Sequence, residues 1–217
     1  MVLYLRRIAC QLLIKFFTLV LILLKLSSCN VFSNNEILPY YNSKDLTPSW
    51  NAKNKHRISA FNLFDQNGKN FGSKSLNEKI YIANFFFTTC PSICPKMTKC
   101  FKVLQDSISL MNHVELVSFS VMPWIDSVNK LKIYGEENGV NSTKWHLLTG
   151  DNSIIYLLGR SSFFADNNKL TDSTTFLHTD KMYLIDKNQQ IRGVYNATRM
   201  DDISRVLADI KILQKTN

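Results

Sequence analysis

Two cysteines separated by three residues are the side chains of this 217-residue sequence best suited to chemistry. Cys90 and Cys94 stand in Thr-Thr-Cys-Pro-Ser-Ile-Cys-Pro, directly after the apolar run 79–87. Residues four apart on a helical turn lie roughly 6 Å apart, which is close enough for a disulfide or for two thiolates on one metal ion. A helix N-terminus also favours the thiolate form. The pair therefore predicts redox or metal chemistry.

The ligand chemistry favours copper over zinc. Two thiolates alone make a poor zinc site, because zinc takes four ligands, whereas copper accepts two or three soft ligands with an imidazole. We interpret three of the four histidines as surface or packed side chains: His56, His113 and His146. His178 differs because it closes an irregular segment just before a predicted strand, so it can reach the end of a neighbouring strand. From the residues alone, His178 remains open as a ligand or an ordinary histidine.

The surrounding pattern predicts the elements that position these thiols. The run 80–87 is rich in β-branched and aromatic residues and predicts a strand buried on both faces. A helix beginning at Pro95, with Cys94 as its cap, loses no hydrogen bond to the proline. Further strands are predicted at 58–63, near Phe71, and at 114–121, 145–149, 181–186 and 191–195. Asp126 and Asp151 are predicted to cap two further helices, and Asp201 and Asp202 to open a third. This alternation predicts an α/β fold, a central mixed β-sheet flanked by helices with an N-terminal β-hairpin.

The N-terminus predicts export and membrane attachment. Arg6 and Arg7 precede the uncharged stretch 16–24, which is too short to span a bilayer but suits a signal peptide. Leu26-Ser-Ser-Cys29 resembles the lipobox of bacterial lipoproteins, which implies a signal peptide over 1–28 and a lipid on Cys29. The alternative is a single uncleaved transmembrane anchor over 8–24. Either way the domain is placed on the extracytoplasmic, periplasmic face of a bacterial membrane.

Composition divides the rest of the chain and excludes one class of partner. Residues 29–56 are rich in Asn, Ser and Pro and predict a flexible tether, followed by one domain over 57–217. The net charge is +9, of which the basic residues of 1–28 supply four, and the remaining +5 is scattered without a basic block. A nucleic-acid partner is therefore not expected.

These motifs resemble the Sco/SenC family of thioredoxin-fold copper proteins. The resemblance rests on the cysteine motif, on Ser120-Val-Met-Pro123 with Asp126 after it, and on His178-x-x-x-Met182-Tyr-Leu-Ile-Asp186, over about residues 57–215. It implies a thioredoxin-like fold and copper, as Cu(I) and/or Cu(II), held by Cys90, Cys94 and His178. It also implies a role in assembling the binuclear copper site of cytochrome c oxidase. The expected partners are its copper-receiving subunit, a thiol reductant of the thioredoxin type and the membrane, through the lipid anchor.

Two residues depart from the family pattern. Met122 stands where the family often has Asp, and we interpret it as a packing side chain. Cys100 lies outside the family motif, and six residues after Cys94 it faces away from that thiol on a helix. We therefore interpret Cys100 as a packed thiol and not as a third ligand.

Three functions compete for the cysteine pair. The leading hypothesis is a membrane-tethered metallochaperone that delivers copper to the oxidase or reduces its cysteines; whether it is also an enzyme, a thiol–disulfide reductase, stays open. The alternative is a thiol–disulfide oxidoreductase without a metal, although such enzymes usually separate their cysteines by two residues and place a proline before the facing strand, where this chain has His178. A redox or copper sensor is the third.

Overall fold

The structure, a computed structural model, describes residues 37–51, 53–165 and 179–216. Residues 37–217 fall into one compact unit. Its strands are β1 (Tyr40–Tyr41), β2 (Pro48–Ser49), β3 (Asn62–Phe64), β4 (Asn70–Gly72), β5 (Ile80–Phe86), β6 (Val114–Ser120), β7 (Trp145–Leu148), β8 (Lys181–Ile185) and β9 (Ile191–Asn196). Its α-helices are α1 (Cys94–Ser107), α2 (Val128–Glu137), α3 (Asn152–Leu157) and α4 (Met200–Thr216), with a 3₁₀ turn at Ser73–Leu76 and a π turn at Leu158–Ser162.

A five-stranded mixed sheet forms the centre of the domain, in the order β7-β6-β5-β8-β9. Strands β5, β6 and β7 run parallel, while β8 is antiparallel to β5 and to β9. Every residue of β5 and β6 is buried. This explains their continuous apolar and β-branched sequences, because a strand covered on both faces has no solvent side to alternate with. The predicted mixed sheet with flanking helices is confirmed.

Helix α1 connects β5 to β6 and begins at Cys94, one residue earlier than predicted. Pro95 lies in its first turn, where the missing N–H has no helical partner to lose. The buried face of α1 carries Met97, Phe101 and Leu104, as the helical spacing predicts. The predicted cap of α3 is also confirmed, since the Asp151 carboxylate accepts from the amides of Ser153 and Ile154.

The predicted N-terminal hairpin is the β3–β4 pair. Its turn contains Gly68 at φ +75°, a left-handed conformation that glycine adopts without steric cost. Asp65 closes the turn by accepting from the amides of Asn67 and Lys69. The hairpin packs beside β7, because the Gln66 side chain bonds the Trp145 carbonyl and the Leu147 amide.

Residues 37–51 differ from the predicted flexible tether, because they are packed on the edge of the sheet. The buried Arg192 of β9 donates to the carbonyls of Leu38 and Pro39 and lies 4.0 Å from the centre of the Tyr40 ring. Leu38 belongs to the core formed by α1, α4 and one face of the sheet. Composition predicts this segment poorly, since it is held through backbone carbonyls, whose positions carry no sequence signature.

Two hydrophobic clusters cover the two faces of the sheet. The first lies under α1 and α4 and includes Cys90, Cys94 and Cys100, and the second lies under the hairpin, α3 and the π turn. Within the described residues, no helix has the length and apolar character needed to cross a membrane. The predicted signal peptide 1–28, Cys29 and His178 all lie outside the described residues.

Candidate metal centre

The cysteine pair lies where β5 ends and α1 begins, at the carboxyl end of the parallel strands. This is the end at which open α/β sheets place their ligand sites. Both cysteines are free thiols, and 6% of Cys90 and 4% of Cys94 is exposed. The loop 87–93 folds back on itself, with the Cys90 amide donating to the Phe87 carbonyl at 3.3 Å. The sequence therefore placed both thiols correctly at a strand-to-helix turn.

The pKa values of the two thiols are shifted in opposite directions, because the Cys94 thiol donates a hydrogen bond to Cys90. Burial raises the pKa of Cys90, but bonds from the Cys94 thiol and from the amides of residues 92–94 outweigh it, and the net pKa lies below its ordinary value. Burial, together with the bond that Cys94 donates to Cys90, raises the pKa of Cys94 to about 12. Cys90 is therefore the ready thiolate, and Cys94 is the proton-holding partner.

The buried carboxylate of Asp126 holds the start of the cysteine loop through hydrogen bonds. Asp126 is fully buried and accepts from the Thr88 amide at 3.1 Å, from the Thr88 hydroxyl at 2.5 Å and from the Ser120 hydroxyl at 2.6 Å. Thr88 lies two residues before Cys90, so Asp126 ties the start of the loop to the end of β6. The negative charge of Asp126 also helps to raise the pKa of Cys94.

Asp126 does not have the role that its sequence position predicted. The prediction that it caps a helix is incorrect, because α2 begins at Val128 and its cap is Ser127, whose hydroxyl accepts from the Lys130 amide. The register of β5 and β6, in which Phe86 lies opposite Ser120, brings the ends of the two strands together. Thr88, two residues after β5, and Ser120, the last residue of β6, are therefore close enough to donate to the same carboxylate.

Tyr134 of α2 contacts the first turn of α1 through Thr98. The Tyr134 hydroxyl lies 2.7 Å from the Thr98 hydroxyl, which in turn donates to the Cys94 carbonyl at 2.9 Å. Burial raises the Tyr134 pKa, and the negative charges of Cys94, Asp126 and Cys90 add to it. A neutral phenol therefore faces the thiols, and sequence spacing contained no signal for it.

The strand that follows His178 enters the sheet beside the cysteine loop. In the antiparallel register of β5 and β8, Asn84 lies opposite Met182 and Tyr81 opposite Ile185. The chain entering β8 therefore comes from the carboxyl end of β5, where Thr179 and Asp180 are placed. This approach is compatible with a ligand from residue 178, although His178 itself is not among the described residues.

The remaining candidate side chains lie in other surroundings. His56 bonds the Ser162 carbonyl and His146 bonds Glu115, as packed histidines. Cys100 is buried with its sulfur 3.6 Å from that of Met200, as expected for a packed thiol, and Met122 packs against the cluster under the hairpin. Within residues 37–51, 53–165 and 179–216, no three His, Cys, Asp or Glu side chains are grouped to hold a metal. The described donors are thus a thiol pair that needs a further ligand to complete a copper site.

A thiol pair at the start of a helix, on a mixed sheet of this order, defines the class of thioredoxin-like proteins that carry redox or metal chemistry. Residues 50–214 match the family model of SCO1/SenC. The chain therefore belongs to the SCO1/SenC family.

Three solved structures are similar to this chain. A SCO1/SenC family lipoprotein from Bacillus anthracis is 30% identical with a TM-score of 0.66, over 74% of this chain and 96% of that one. BsSco, described as a cytochrome c oxidase assembly protein with a disulfide switch, is 29% identical with a TM-score of 0.64, over 73% and 94%. Arabidopsis thaliana ScoI, solved with copper bound, is 27% identical with a TM-score of 0.57, over 72% and 98%. The predicted thioredoxin-like family and fold are confirmed.

Proposed function

We propose that this protein binds one copper ion through Cys90, Cys94 and His178 and uses it to assemble the binuclear copper site of cytochrome c oxidase. The observation that carries the proposal is the free, hydrogen-bonded thiol pair at the carboxyl end of β5. Soft thiolates with one imidazole suit copper. The copper-bound relative from Arabidopsis and the oxidase assembly role ascribed to BsSco support the same conclusion.

The proton balance of the thiols determines how copper binds. Cys90, with its lowered pKa, offers the first thiolate. Cys94 holds its proton until the metal arrives, so binding of copper releases that proton. Copper affinity is therefore expected to rise with pH until Cys94 ionises freely. The buried Asp126 and the neutral Tyr134 keep the loop in place while this charge changes.

Two reactions can serve the oxidase, and both use the same pair. In delivery, copper moves from the two thiolates and the imidazole to the acceptor's ligands with no net oxidation. In reduction, the Cys90–Cys94 dithiol passes two electrons and two protons to an acceptor disulfide and becomes a disulfide itself. A thiol reductant of the thioredoxin type then restores the dithiol.

The protein is proposed to act on the extracytoplasmic face of a bacterial membrane, anchored by a lipid on Cys29. The lipobox-like sequence before Cys29 is the basis of this assignment. The similar structure from Bacillus anthracis is described as a lipoprotein, which supports it. A single N-terminal transmembrane anchor is the alternative.

Competition with a Cu(I) chelator tests the metal site. The reduced chain from Asn30 should bind one Cu(I), and Cys90→Ser, Cys94→Ser and His178→Ala should each weaken binding by a factor of roughly 100 or more, since each removes one of three ligands. His113→Ala is the matched control, because His113 is an exposed loop histidine. Unchanged affinity in His178→Ala would remove His178 from the site.

The opposite pKa shifts of the two thiols also favour the oxidoreductase alternative. A thiolate at Cys90 can attack a disulfide, and the buried Cys94 can then resolve the mixed disulfide. Turnover of a small disulfide substrate with a thioredoxin-type reductant, measured with and without a Cu(I) chelator, separates the two functions. Rapid turnover combined with weak copper binding would make the oxidoreductase the primary function.

A further inference from the structure

Two large apolar side chains lie exposed where the described chain begins. Ile37 is 61% exposed and Trp50 is 58% exposed, and the Trp50 indole N–H donates to the Ile37 carbonyl at 3.0 Å. This bond fixes the Trp50 indole beside the backbone of residue 37, while more than half of each side chain stays exposed. Exposed apolar side chains held in a fixed arrangement mark a binding surface more often than isolated ones do.

The sheet register places this pair far from the cysteines. Arg192, the second residue of β9, donates to the Leu38 carbonyl at 2.6 Å, directly after Ile37. The turn that precedes β9 follows Ile185, which lies opposite Tyr81 near the amino end of β5. Ile37 and Trp50 therefore lie at the amino end of β5, whereas the cysteine loop follows its carboxyl end.

A third exposed apolar side chain lies at the same end of the sheet. Leu110, 94% exposed, belongs to the loop between α1 and β6. His113 of that loop accepts the Ile80 amide at 2.9 Å, which fixes the loop at the amino end of β5. We call Ile37, Trp50 and Leu110 together the amino-end patch.

Basic side chains border the patch. Lys55 donates to the Tyr40 hydroxyl at 2.9 Å, and Tyr40 pairs with Ser49, the neighbour of Trp50. Lys53 is exposed three residues after Trp50. A tryptophan with flanking lysines is the combination typical of membrane–water interfaces, where the indole sits at headgroup depth and ammonium groups meet anionic lipids.

The length of the preceding chain limits how far the patch can be from a bilayer. Ile37 follows Cys29 by eight residues. A fully extended chain spans at most about 3.5 Å per residue, so a lipid on Cys29 would keep Ile37 within roughly 28 Å of the membrane. At such a short tether length the local concentration of lipid surface is high, and even a weak surface contact is occupied.

We propose that the amino-end patch rests on a phospholipid bilayer, with Trp50 and Leu110 at headgroup depth. This orientation turns the opposite end of the sheet, with Cys90 and Cys94, away from the membrane and toward partners in the aqueous compartment. The inference rests on the proposed lipid anchor at Cys29, and it adds a defined orientation of the domain.

Quenching of tryptophan fluorescence by lipid tests the orientation. The full chain, purified from bacterial membranes, is reconstituted into phosphatidylethanolamine–phosphatidylglycerol vesicles with and without bromine on the acyl chains. Flotation of the vesicles first measures whether the chain is anchored. In the floated protein, brominated lipid should quench the wild type and the Trp124→Phe variant, and quenching should fall at least severalfold in Trp50→Phe.

A matched pair of reporters completes the experiment. In a Trp50→Phe, Trp124→Phe background, Leu110→Trp should be quenched and Leu157→Trp should not, because Leu157, 61% exposed, ends α3 outside the patch. Equal quenching at 110 and 157, or full quenching in Trp50→Phe, would overturn the proposed orientation while the anchor stands. Failure of the wild-type chain to float would instead refute the anchor itself, and the orientation with it.

Discussion

The two ends of the central sheet each contain a fully buried carboxylate, but the two carboxylates have different partners. Asp186, at the amino end of β5, pairs with the Arg192 guanidinium at 3.0 Å and accepts from the amides of Asn188 and Gln190. Asp126, at the carboxyl end, is held by Thr88 and Ser120, and none of the ion pairs among the described residues includes it.

The difference separates a structural carboxylate from a functional one. Asp186 is paired with Arg192, which fastens the N-terminal segment to β9, and its charge raises the pKa of the buried Tyr81 phenol and not that of a cysteine. Among the described residues the Asp126 carboxylate has hydrogen-bond donors and no cation as partners, and its negative charge helps to raise the pKa of Cys94. A buried carboxylate next to a reactive pair is an arrangement by which functional sites shift the pKa values of their thiols.

The largest expected effect is at the amino end. Arg192→Met leaves Asp186 buried without its cation and releases the Leu38 and Pro39 carbonyls, so the free energy of unfolding should fall by about 3–5 kcal/mol. Urea denaturation measures this change. Lys102→Met, in the exposed ion pair with Asp106, is the control and should cost less than about 1 kcal/mol. Equal losses in the two variants would contradict a structural role for the buried pair.

The second prediction concerns the two thiols of the reduced protein. Cys90 has a pKa below its ordinary value and Cys94 a pKa of about 12, so alkylation of Cys90 should level off at lower pH than that of Cys94. At pH 9 a far larger fraction of Cys90 than of Cys94 is thiolate, and although the more basic thiolate is the stronger nucleophile, Cys90 should be alkylated severalfold faster. Mass spectrometry of iodoacetamide-labelled peptides gives both rates. Superimposable pH profiles would refute the predicted division between the thiols.

The third prediction tests whether the field of Asp126 reaches the site. Asp126→Asn keeps the side-chain size but removes the charge and weakens the bonds from Thr88 and Ser120, at about 1–3 kcal/mol of stability. The negative charge of Asp126 raises the pKa of Cys94, so in Asp126→Asn the pH profile of Cys94 alkylation should move to lower pH. The alkylation profile of Cys90 should move less. An unchanged Cys94 profile, with the same loss of stability, would leave Asp126 a purely structural residue.

The smallest expected effect is that of one hydroxyl beside the same carboxylate. Ser120→Ala removes the 2.6 Å bond to Asp126 and should lower the free energy of unfolding by about 1 kcal/mol. Since the charge remains, the alkylation profile of Cys94 should stay close to that of the wild type. A shift as large as that of Asp126→Asn would mean that hydrogen bonding, and not charge, sets the Cys94 pKa.

The sequence predicted elements best where burial leaves a local pattern. The runs at 80–86 and 114–120 are buried on both faces, and their apolar continuity was enough to identify both strands. The start of α1 followed from proline chemistry at Pro95, to within one residue. Residues 37–51 were mispredicted as flexible because Arg192, about 150 positions away, holds them through carbonyl groups that every residue shares.

The sequence by itself determined the pair of cysteines, their place at a strand-to-helix turn and the family, because local spacing and residue type carry that information. Only the tertiary structure decided which thiol holds the proton, because this depends on a hydrogen bond between the two free thiols and on a carboxylate 32 positions from Cys94. It also decided that Asp126 supports the cysteine loop and that the exposed Trp50 lies at the opposite end of the sheet. Such relations arise from strand register and packing, which bring distant residues together without leaving a periodic pattern in the chain.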